Sequence, residues 1–382
     1  MKKVYKNDLL FVIAYALLLF KIALANTTFV EFIDVRSDIF KLIYPISFSL
    51  IALKITLANK MSVKVVLESI IIVIIGVFCY INSSRTEILA LIMLLIGMKQ
   101  VHFDVVIKTF LWVYGLVTIF ALFFSLMGII DMYTVMSDAH GLRYSLGNTY
   151  PTDFAAGVFY MLLAYAYLKK TWKIRYSVIW TVITITTYLM TKAQTSFILS
   201  ILFIIGLTLT IFYRYPSHFK NKIGSFIKKI SIIVFPVLAG VSYLIVYMFE
   251  QGNVYMQILN VIVNYRIGFA SKFMDDYGIN MFGNYIEMTG AGWGTSTSNV
   301  YYYIDNGYYY SIVFYGILLT VLFLVGFSMC ALKSKELLLN YILIFIAINA
   351  LLEPRFVNYL YNPFLMLLGS LLYSWNKEYM VV

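Results

Sequence analysis

The strongest constraint on the fold is a series of twelve apolar stretches that recur along the 382 residues. They lie at residues 9–25, 39–58, 65–82, 86–98, 105–127, 153–168, 176–190, 195–213, 231–250, 308–331, 336–352 and 359–374. A bilayer core accommodates about 20 apolar residues per helix, so twelve crossings use most of the chain. Charged residues make up only 12% of the sequence. The pattern predicts an all-α polytopic membrane protein with about twelve transmembrane helices, which form a single integral membrane domain over residues 1–382.

The distribution of basic residues predicts the orientation. If the N-terminus is cytoplasmic, the 29 Lys and Arg residues divide into 20 on the inner side and 9 on the outer side. An inner excess of positive charge is typical of multi-pass proteins. Both termini are then cytoplasmic, and two long loops, at about 128–152 and 251–307, are extracytoplasmic. The net charge of +11 arises mostly in the inner loops, where it faces anionic lipids, and we expect no nucleic-acid partner.

Arginine and lysine are distributed differently. Five of the seven arginines fall on the outer side, namely Arg36, Arg85, Arg143, Arg266 and Arg355. Orientation does not require them there. A guanidinium group binds phosphate through a rigid bidentate fork that lysine cannot match. We therefore expect the outer face to handle an anionic substrate, with Arg143, Arg266 and Arg355 as candidate binding residues.

The first long loop contains several candidate residues. Arg143 lies between two glycines and either holds a diphosphate, or is a solvated loop arginine or one that binds a lipid phosphate. Pro151, Thr152 and Asp153 predict a helix start that Thr152 or Asp153 caps. Asp153 is therefore either a cap or a catalytic carboxylate, and His140 is the only histidine predicted to lie outside.

The second long loop begins with apolar residues at helical spacing, which predict a helix at the outer membrane interface. Arg266 falls within this stripe, where it either snorkels to headgroups or points into a polar cavity. Tyrosines at 301–303 and 308–310 flank Asp305 and form either an interfacial belt or a sugar platform. Asp305 is either a helix cap or the best-placed outer carboxylate for a general base.

The motifs of several other classes are missing from the sequence. There is no Walker A loop, no Gly-x-Ser-x-Gly and no His-Glu-x-x-His. The two cysteines, Cys79 and Cys330, fall near opposite membrane faces, so neither a disulfide nor a metal site is expected. An ATP-driven pump or a metalloenzyme would carry more of these signals, and we expect no cofactor and no metal.

Four segments resemble Wzy-type polysaccharide polymerases of capsule and O-antigen clusters, within the O-antigen ligase-like superfamily. They are RYSLGNTYPTDFAAGVFY at 143–160, TKAQTSF at 191–197, NYRIGFASKFMDDYGINMFG at 264–283 and IDNGYYYSIVFYG at 304–316. The likeness covers most of residues 140–320. One difference is that many relatives place His-Pro-Asn where this chain has Tyr150, Pro151 and Thr152, which leaves the general base unassigned.

The resemblance implies a GT-C-like fold and a metal-independent glycosyltransferase of the bacterial cytoplasmic membrane. Such an enzyme transfers a growing glycan from undecaprenyl diphosphate to a new lipid-linked repeat unit at the outer face. The implied partners are that lipid-linked oligosaccharide, membrane lipids, and a flippase and a chain-length regulator of the same pathway. Arg143 and Arg266 match loop arginines of the family.

The predicted catalytic residues are thus Asp305, Asp153 and His140. The predicted substrate-binding residues are Arg143, Arg266, Arg355, Tyr150 and Tyr308. Two other functions stay open at this point, namely a ligase that passes the finished glycan to another acceptor and a flippase for the same lipid-linked sugar.

Overall fold

The structure, a computed structural model, describes residues 6–57, 61–137, 141–212, 217–290, 292 and 302–373. Over these ranges about three quarters of the residues are helical, and the other regular elements are one β-hairpin and short 3-10 turns. The helices are α1 (Lys6–Ala25), α2 (Asp38–Lys41), α3 (Ile43–Leu57), α4 (Val63–Ser83), α5 (Thr86–Gly97), α6 (Phe103–Leu126), α7 (Pro151–Lys169), α8 (Ile174–Thr191), α9 (Gln194–Phe212), α10 (Ser217–Glu250), α11 (Val254–Ile262), α12 (Arg266–Tyr277), α13 (Gly307–Lys333), α14 (Leu337–Leu352) and α15 (Met366–Tyr373). The hairpin pairs β1 (Thr134–Ser137) antiparallel with β2 (Gly141–Tyr144).

The protein is an all-helical membrane protein. Among the described residues, six segments are long and apolar enough to cross a bilayer. They are α1, the α2–α3 segment, α4, α6, the part of α10 from Lys222 and α13. Helices α5, α9, α14 and α15 are apolar but shorter. Each of the twelve predicted stretches corresponds to a helix, but the number that cross the membrane stays a prediction.

The polar contacts between helix ends form two sets, at opposite ends of the bundle. Helix α1 belongs to both, because Asp8 near its start and Asn26 just after its end take part in different sets. One set contains Asn26–Tyr361, Asp153–Arg355 and Arg266–Asp305, and the other contains Asp8–His102, Lys54–Gly97 and Lys170–Glu336. The first set lies at the predicted outer end and the second at the predicted cytoplasmic end.

Helix α13 is broken near its outer end. Gly316 has a φ of 84°, which is accessible to glycine without strain, and it ends the first helical part. The backbone of the second long loop packs into this break, where Ile317 N–H donates to the Asn280 carbonyl at 3.0 Å. Gly283 in that loop lies so close to Phe314 that a Cβ would approach the Phe314 carbonyl oxygen to 2.0 Å. The loop thereby satisfies backbone groups that the break exposes, as non-helical backbone in a membrane protein requires.

The interfacial helix of the second loop is not continuous. Asn264 and Tyr265 adopt positive φ values of 56° and 62°, which end α11 and start α12. The Asn260 side chain stabilises the turn by accepting a hydrogen bond from Gly268 N–H at 2.9 Å. The predicted single stripe is therefore wrong, and Arg266 is the first residue of a second helix.

The fold adds two features that the apolar pattern does not show. Between the apolar stretches 195–213 and 231–250 the chain is helical from residue 217 onward, because α10 runs for 34 residues from Ser217 and spans about 50 Å. The first long loop contains the β1–β2 hairpin, which the sequence pattern did not predict. Cys79 and Cys330 are both buried and unbonded to one another, as expected.

The predicted orientation can be tested with single cysteines and a membrane-impermeant thiol reagent. Since Met136 and Tyr285 are exposed at the predicted outer end, we expect Met136→Cys and Tyr285→Cys to react in intact cells. Lys64→Cys, at the start of α4, should react only after lysis. The native cysteines are buried and give a low background. The reverse labelling pattern would invert the topology.

Candidate functional site

A cavity of about 910 Å³ lies at the predicted outer end of the bundle. Its walls come from the ends of helices and the turns between them, including the starts of α7 and α12, the α8–α9 turn and the end of α14. The titratable and polar residues that line it are Arg85, Arg143, Thr149, Tyr150, Thr152, Asp153, Lys192, Gln194, Thr195, Asn264, Arg266, Tyr303, Asp305, Glu353 and Arg355. Segments far apart in the sequence therefore supply one site.

Four of the five outer arginines line this cavity. Arg36 does not, and its side chain is exposed. With Lys192, the four arginines give five cationic side chains, against three carboxylates from Asp153, Asp305 and Glu353. The lining carries an excess of two positive charges, and the protein around it weakens screening by water. The cavity is therefore suited to an anion with more than one negative charge.

Arg355 is the most strongly held of these arginines. It is 7% exposed and donates to Asp153 Oδ1 at 2.6 Å and to Thr152 Oγ1 at 3.1 Å. It also pairs with Glu353, and its guanidinium lies 5.2 Å from the centre of the Tyr361 ring. Burial lowers the pKa of Arg355, but Asp153 opposes this effect and the pKa ends above its ordinary value. The guanidinium therefore stays charged and fixed between α7 and the loop after α14.

Arg266 and Asp305 form a second ion pair, with Nε 3.4 Å from Oδ2. Arg266 also donates to the Leu352 carbonyl at the end of α14, at 2.7 Å. That carbonyl is one of the last in the helix, where no intrahelical donor remains. This arginine therefore points into the cavity and does not snorkel to headgroups.

Arg143 lies on β2 and is 8% exposed. Its Nε donates to the Thr191 carbonyl at 2.9 Å, at the end of α8, and its guanidinium lies 5.5 Å from the centre of the Tyr150 ring. Burial raises the pKa of Tyr150, and Arg143 partly opposes this, so the phenol stays neutral. One edge of Arg143 is thus anchored, which orients the guanidinium at the cavity wall.

The structure brings most of the predicted site residues together. Arg143, Arg266, Arg355, Tyr150, Asp153 and Asp305 all line the cavity. His140 lies outside the described residues. Tyr308 is not at the cavity: it is 3% exposed, and its hydroxyl donates to the Ala347 carbonyl within the α13–α14 contact at 2.9 Å. Its apolar neighbours and its register on α13 place it in the core.

The expected capping roles also need correction. Helix α7 does start at Pro151, but no side chain caps it, and both Thr152 and Asp153 bind Arg355 instead. Helix α13 is capped by Asn306, which accepts from the N–H groups of Tyr308 and Tyr309, so Asp305 is left to pair with Arg266.

Several lining residues were missed by the sequence reasoning. Lys192 lies in the turn segment 191–197, and Tyr303 belongs to the tyrosine cluster, so both had a partial signal. Arg85 was counted among the outer arginines but given no role. Glu353 had no signal, because a lone Glu at the end of an apolar stretch is indistinguishable from a solvated helix end.

Comparison with known proteins returns no match, whether to a family model, a curated protein or a solved structure. The fold and the site together define a multi-pass helical membrane protein with a cationic cavity at one end. Among the described residues, no group of three or more His, Cys, Asp or Glu side chains is arranged to hold a metal ion.

A double-mutant cycle tests the central ion pair. Because Asp153 and Arg355 are both largely buried, Asp153→Ala and Arg355→Ala should each lower the free energy of unfolding by about 3 kcal/mol. The double variant should lose less than the sum, since the pair is removed only once. Denaturation in detergent measures this. The exposed Asp38–Lys41 pair serves as the control and should show no coupling. Strict additivity at Asp153 and Arg355 would mean that the pair does not hold the site.

Proposed function

We propose that the chain is a polysaccharide polymerase of the bacterial cytoplasmic membrane. It transfers a growing glycan from undecaprenyl diphosphate to a new lipid-linked repeat unit at the outer face, as in the Wzy-type enzymes that the sequence resembles. The observation that carries the proposal is the convergence of four outer arginines on one cavity with two aspartates. About twelve crossings and a GT-C-like arrangement belong to the same proposal.

The reaction is a displacement at the anomeric carbon of the donor sugar. The bond between this carbon and the diphosphate oxygen breaks, and a bond to an acceptor hydroxyl oxygen forms. The acceptor proton passes to a carboxylate, and undecaprenyl diphosphate leaves with the electron pair. Because the diphosphate is a good leaving group, stabilisation of its developing charge is the main requirement.

Arg143 and Arg266 are the proposed diphosphate ligands. Each donates one hydrogen bond to a carbonyl at a helix end, which fixes the guanidinium at the cavity, and Arg266 also pairs with Asp305, which a bound diphosphate would displace. Donors fixed before the reaction stabilise charge without reorganisation. Arg355 is already engaged by two carboxylates and Thr152, so it acts as a positioning residue.

The general base is Asp153 or Asp305. Asp305 pairs with Arg266 at 3.4 Å, which is looser than the 2.6 Å contact of Asp153 with Arg355. A bound diphosphate competes for Arg266 and would release the Asp305 carboxylate to accept a proton. Asp153 stays held by Arg355, but it lies between this cavity and a smaller one beside it.

A ligase would use the same cavity with a different acceptor, so it is the nearest alternative. A flippase requires charged residues along a central path through the membrane. Two charged residues near the ends of apolar stretches, Glu68 and Lys108, do not form such a path, since Lys108 is exposed and Glu68 lies 3.9 Å from Lys64 at the predicted cytoplasmic end of α4. A flippase and a chain-length regulator are the expected partners of the polymerase.

Lysine substitutions distinguish phosphate binding from simple anchoring. Lysine keeps the charge but loses the planar fork, so Arg266→Lys and Arg143→Lys should be nearly as damaging as the alanine variants. We expect about a hundredfold loss of polymer formation, corresponding to roughly 3 kcal/mol. The assay is polymer formation by detergent-purified protein from the lipid-linked repeat.

Arg36 provides the matched control, because it is an outer arginine away from the cavity. Arg36→Lys and Arg36→Ala should retain full polymer formation. Near-normal polymer from both Arg143→Lys and Arg266→Lys would show that these two residues only anchor their loops.

Metal dependence gives a second test. Five cationic side chains at the cavity can offset the charge on the leaving diphosphate, a role that Mg²⁺ often fills elsewhere. We therefore expect purified protein to form polymer in excess EDTA at an unchanged rate. A strict requirement for added Mg²⁺ or Mn²⁺ would contradict this mechanism.

A further inference from the structure

A second cavity of about 300 Å³ lies next to the first. The two share a wall of five residues, Arg85, Asp153, Tyr303, Pro354 and Arg355. The charged part of this wall consists of the Arg355–Asp153 ion pair and Arg85. A group bound in one cavity therefore faces a group bound in the other across the same carboxylate and guanidinium.

The smaller cavity differs from the larger one in charge. It is lined by two arginines, Arg85 and Arg355, and by two carboxylates, Glu87 and Asp153. Positive and negative charges are therefore balanced, whereas the larger cavity has an excess of two positive charges. A polyanion gains little from entering the smaller cavity, and a neutral polar ligand is better suited to it.

The rest of the lining is rich in tyrosine. Tyr303, Tyr310, Tyr315, Tyr359 and Tyr361 all face this cavity, together with Asn26 and Asn358. Burial raises the pKa of Tyr303, so its hydroxyl stays neutral. Aromatic faces that pack against apolar ring faces, combined with hydroxyl, amide and carboxylate groups at the edges, are what a sugar ring requires. A volume near 300 Å³ is at the lower limit for small-molecule sites.

We propose that this smaller cavity is the acceptor site and binds the neutral terminal sugar of the incoming repeat unit, an inference that rests on the proposed function. The size of the cavity decides between donor and acceptor. The donor carries a growing glycan that needs the larger volume, whereas the acceptor presents a free chain end that fits the smaller one. The diphosphate of the donor then lies in the larger cavity, and the acceptor hydroxyl meets the anomeric carbon at Asp153.

Glu87 is the residue assigned to sugar recognition within this site. It lies in the first turn of α5 and interacts electrostatically with Arg85. A carboxylate accepts hydrogen bonds from two sugar hydroxyls, and such charge-assisted bonds are stronger than neutral ones. Tyr310 contributes a hydroxyl, while its ring packs 4.6 Å from Phe314, so Tyr310→Phe removes the hydroxyl and keeps the packing.

The test is equilibrium binding of a lipid-free probe. The probe is the single repeat-unit oligosaccharide, released by mild acid from the lipid-linked intermediate of the producing cell and titrated calorimetrically into detergent-purified protein. Glu87→Gln and Tyr310→Phe should each weaken binding about tenfold or more, because a charged or hydroxyl hydrogen bond is lost. Glu68→Gln and Tyr255→Phe are the matched controls, since these residues lie outside both cavities, and they should bind normally.

The arginine variants separate the two sites. Arg143→Lys and Arg266→Lys should bind this probe like the unmodified protein, because the probe has no diphosphate. In the polymer assay, Glu87→Gln should raise the KM for the repeat unit about tenfold with a smaller change in kcat. Equal midpoints of thermal unfolding for the smaller-cavity variants and the control variants exclude misfolding as the cause.

Failure of the acceptor-site proposal and failure of the polymerase proposal give different results. If the protein makes polymer but Glu87→Gln and Tyr310→Phe bind the probe normally, the acceptor site is wrong and the polymerase proposal stands. If the probe binds in a Glu87-dependent manner but no polymer forms, the sugar site stands and the polymerase proposal fails. No binding of the probe at millimolar concentration overturns the acceptor site.

Discussion

The buried ion pair between Arg355 and Asp153 organises the outer end of the molecule. Its two residues are 202 positions apart in sequence, and their contact joins the loop after α14 to the first turn of α7. Removing a guanidinium from water is costly unless its donors are satisfied, and here Asp153, Thr152 and Glu353 provide the acceptors. The same pair forms the wall between the two cavities. The geometry of both sites therefore depends on one electrostatic contact.

In the proposed function, this arrangement separates two ligands by charge over a short distance. On one side of the pair, the excess of cationic groups favours a diphosphate, and on the other side the balanced charges and the tyrosines favour a neutral sugar. Because both sides lie at helix ends, the lipid tails of the proposed substrates can stay in the bilayer while their polar parts reach the site. A transfer reaction between two lipid-linked molecules requires such a meeting point, which adds support to the proposed function.

The helical class and the grouping of the arginines could be predicted from the sequence, because both follow from local composition. The length of each apolar stretch predicts a helix. The use of Arg where Lys would serve for orientation predicts phosphate binding, and this prediction does not depend on which residues are neighbours in the sequence. The ion pairs between distant residues could not be predicted in this way. Asp153 was expected to cap α7, and only the distant Arg355 explains why it does not.

The backbone breaks between helices could not be predicted from the sequence either. The turn between α11 and α12 uses two left-handed residues, Asn264 and Tyr265, without glycine or proline to indicate it. Tyrosines gave a similar difficulty, since Tyr303 lines the cavities and Tyr308 is buried in the core only five positions later. Their roles depend on which side of the α13 start they occupy, and composition does not distinguish the two.

The buried charges lie at the two ends of the helical bundle. In the described part of the chain, six charged residues are buried: Asp8, Lys54, Lys99, Arg143, Glu353 and Arg355. The first three lie at the predicted cytoplasmic end, where Lys54 donates to the Gly97 carbonyl and offsets the negative end of α5. The last three lie at the outer cavity. In the described part of the chain no charged residue is buried between these two groups, where contacts such as Phe235 against Phe327 form the core. A carrier that moves a charged headgroup across the bilayer needs ionisable groups at intermediate depth. The position of these charges therefore supports the proposed transfer reaction over the flippase alternative.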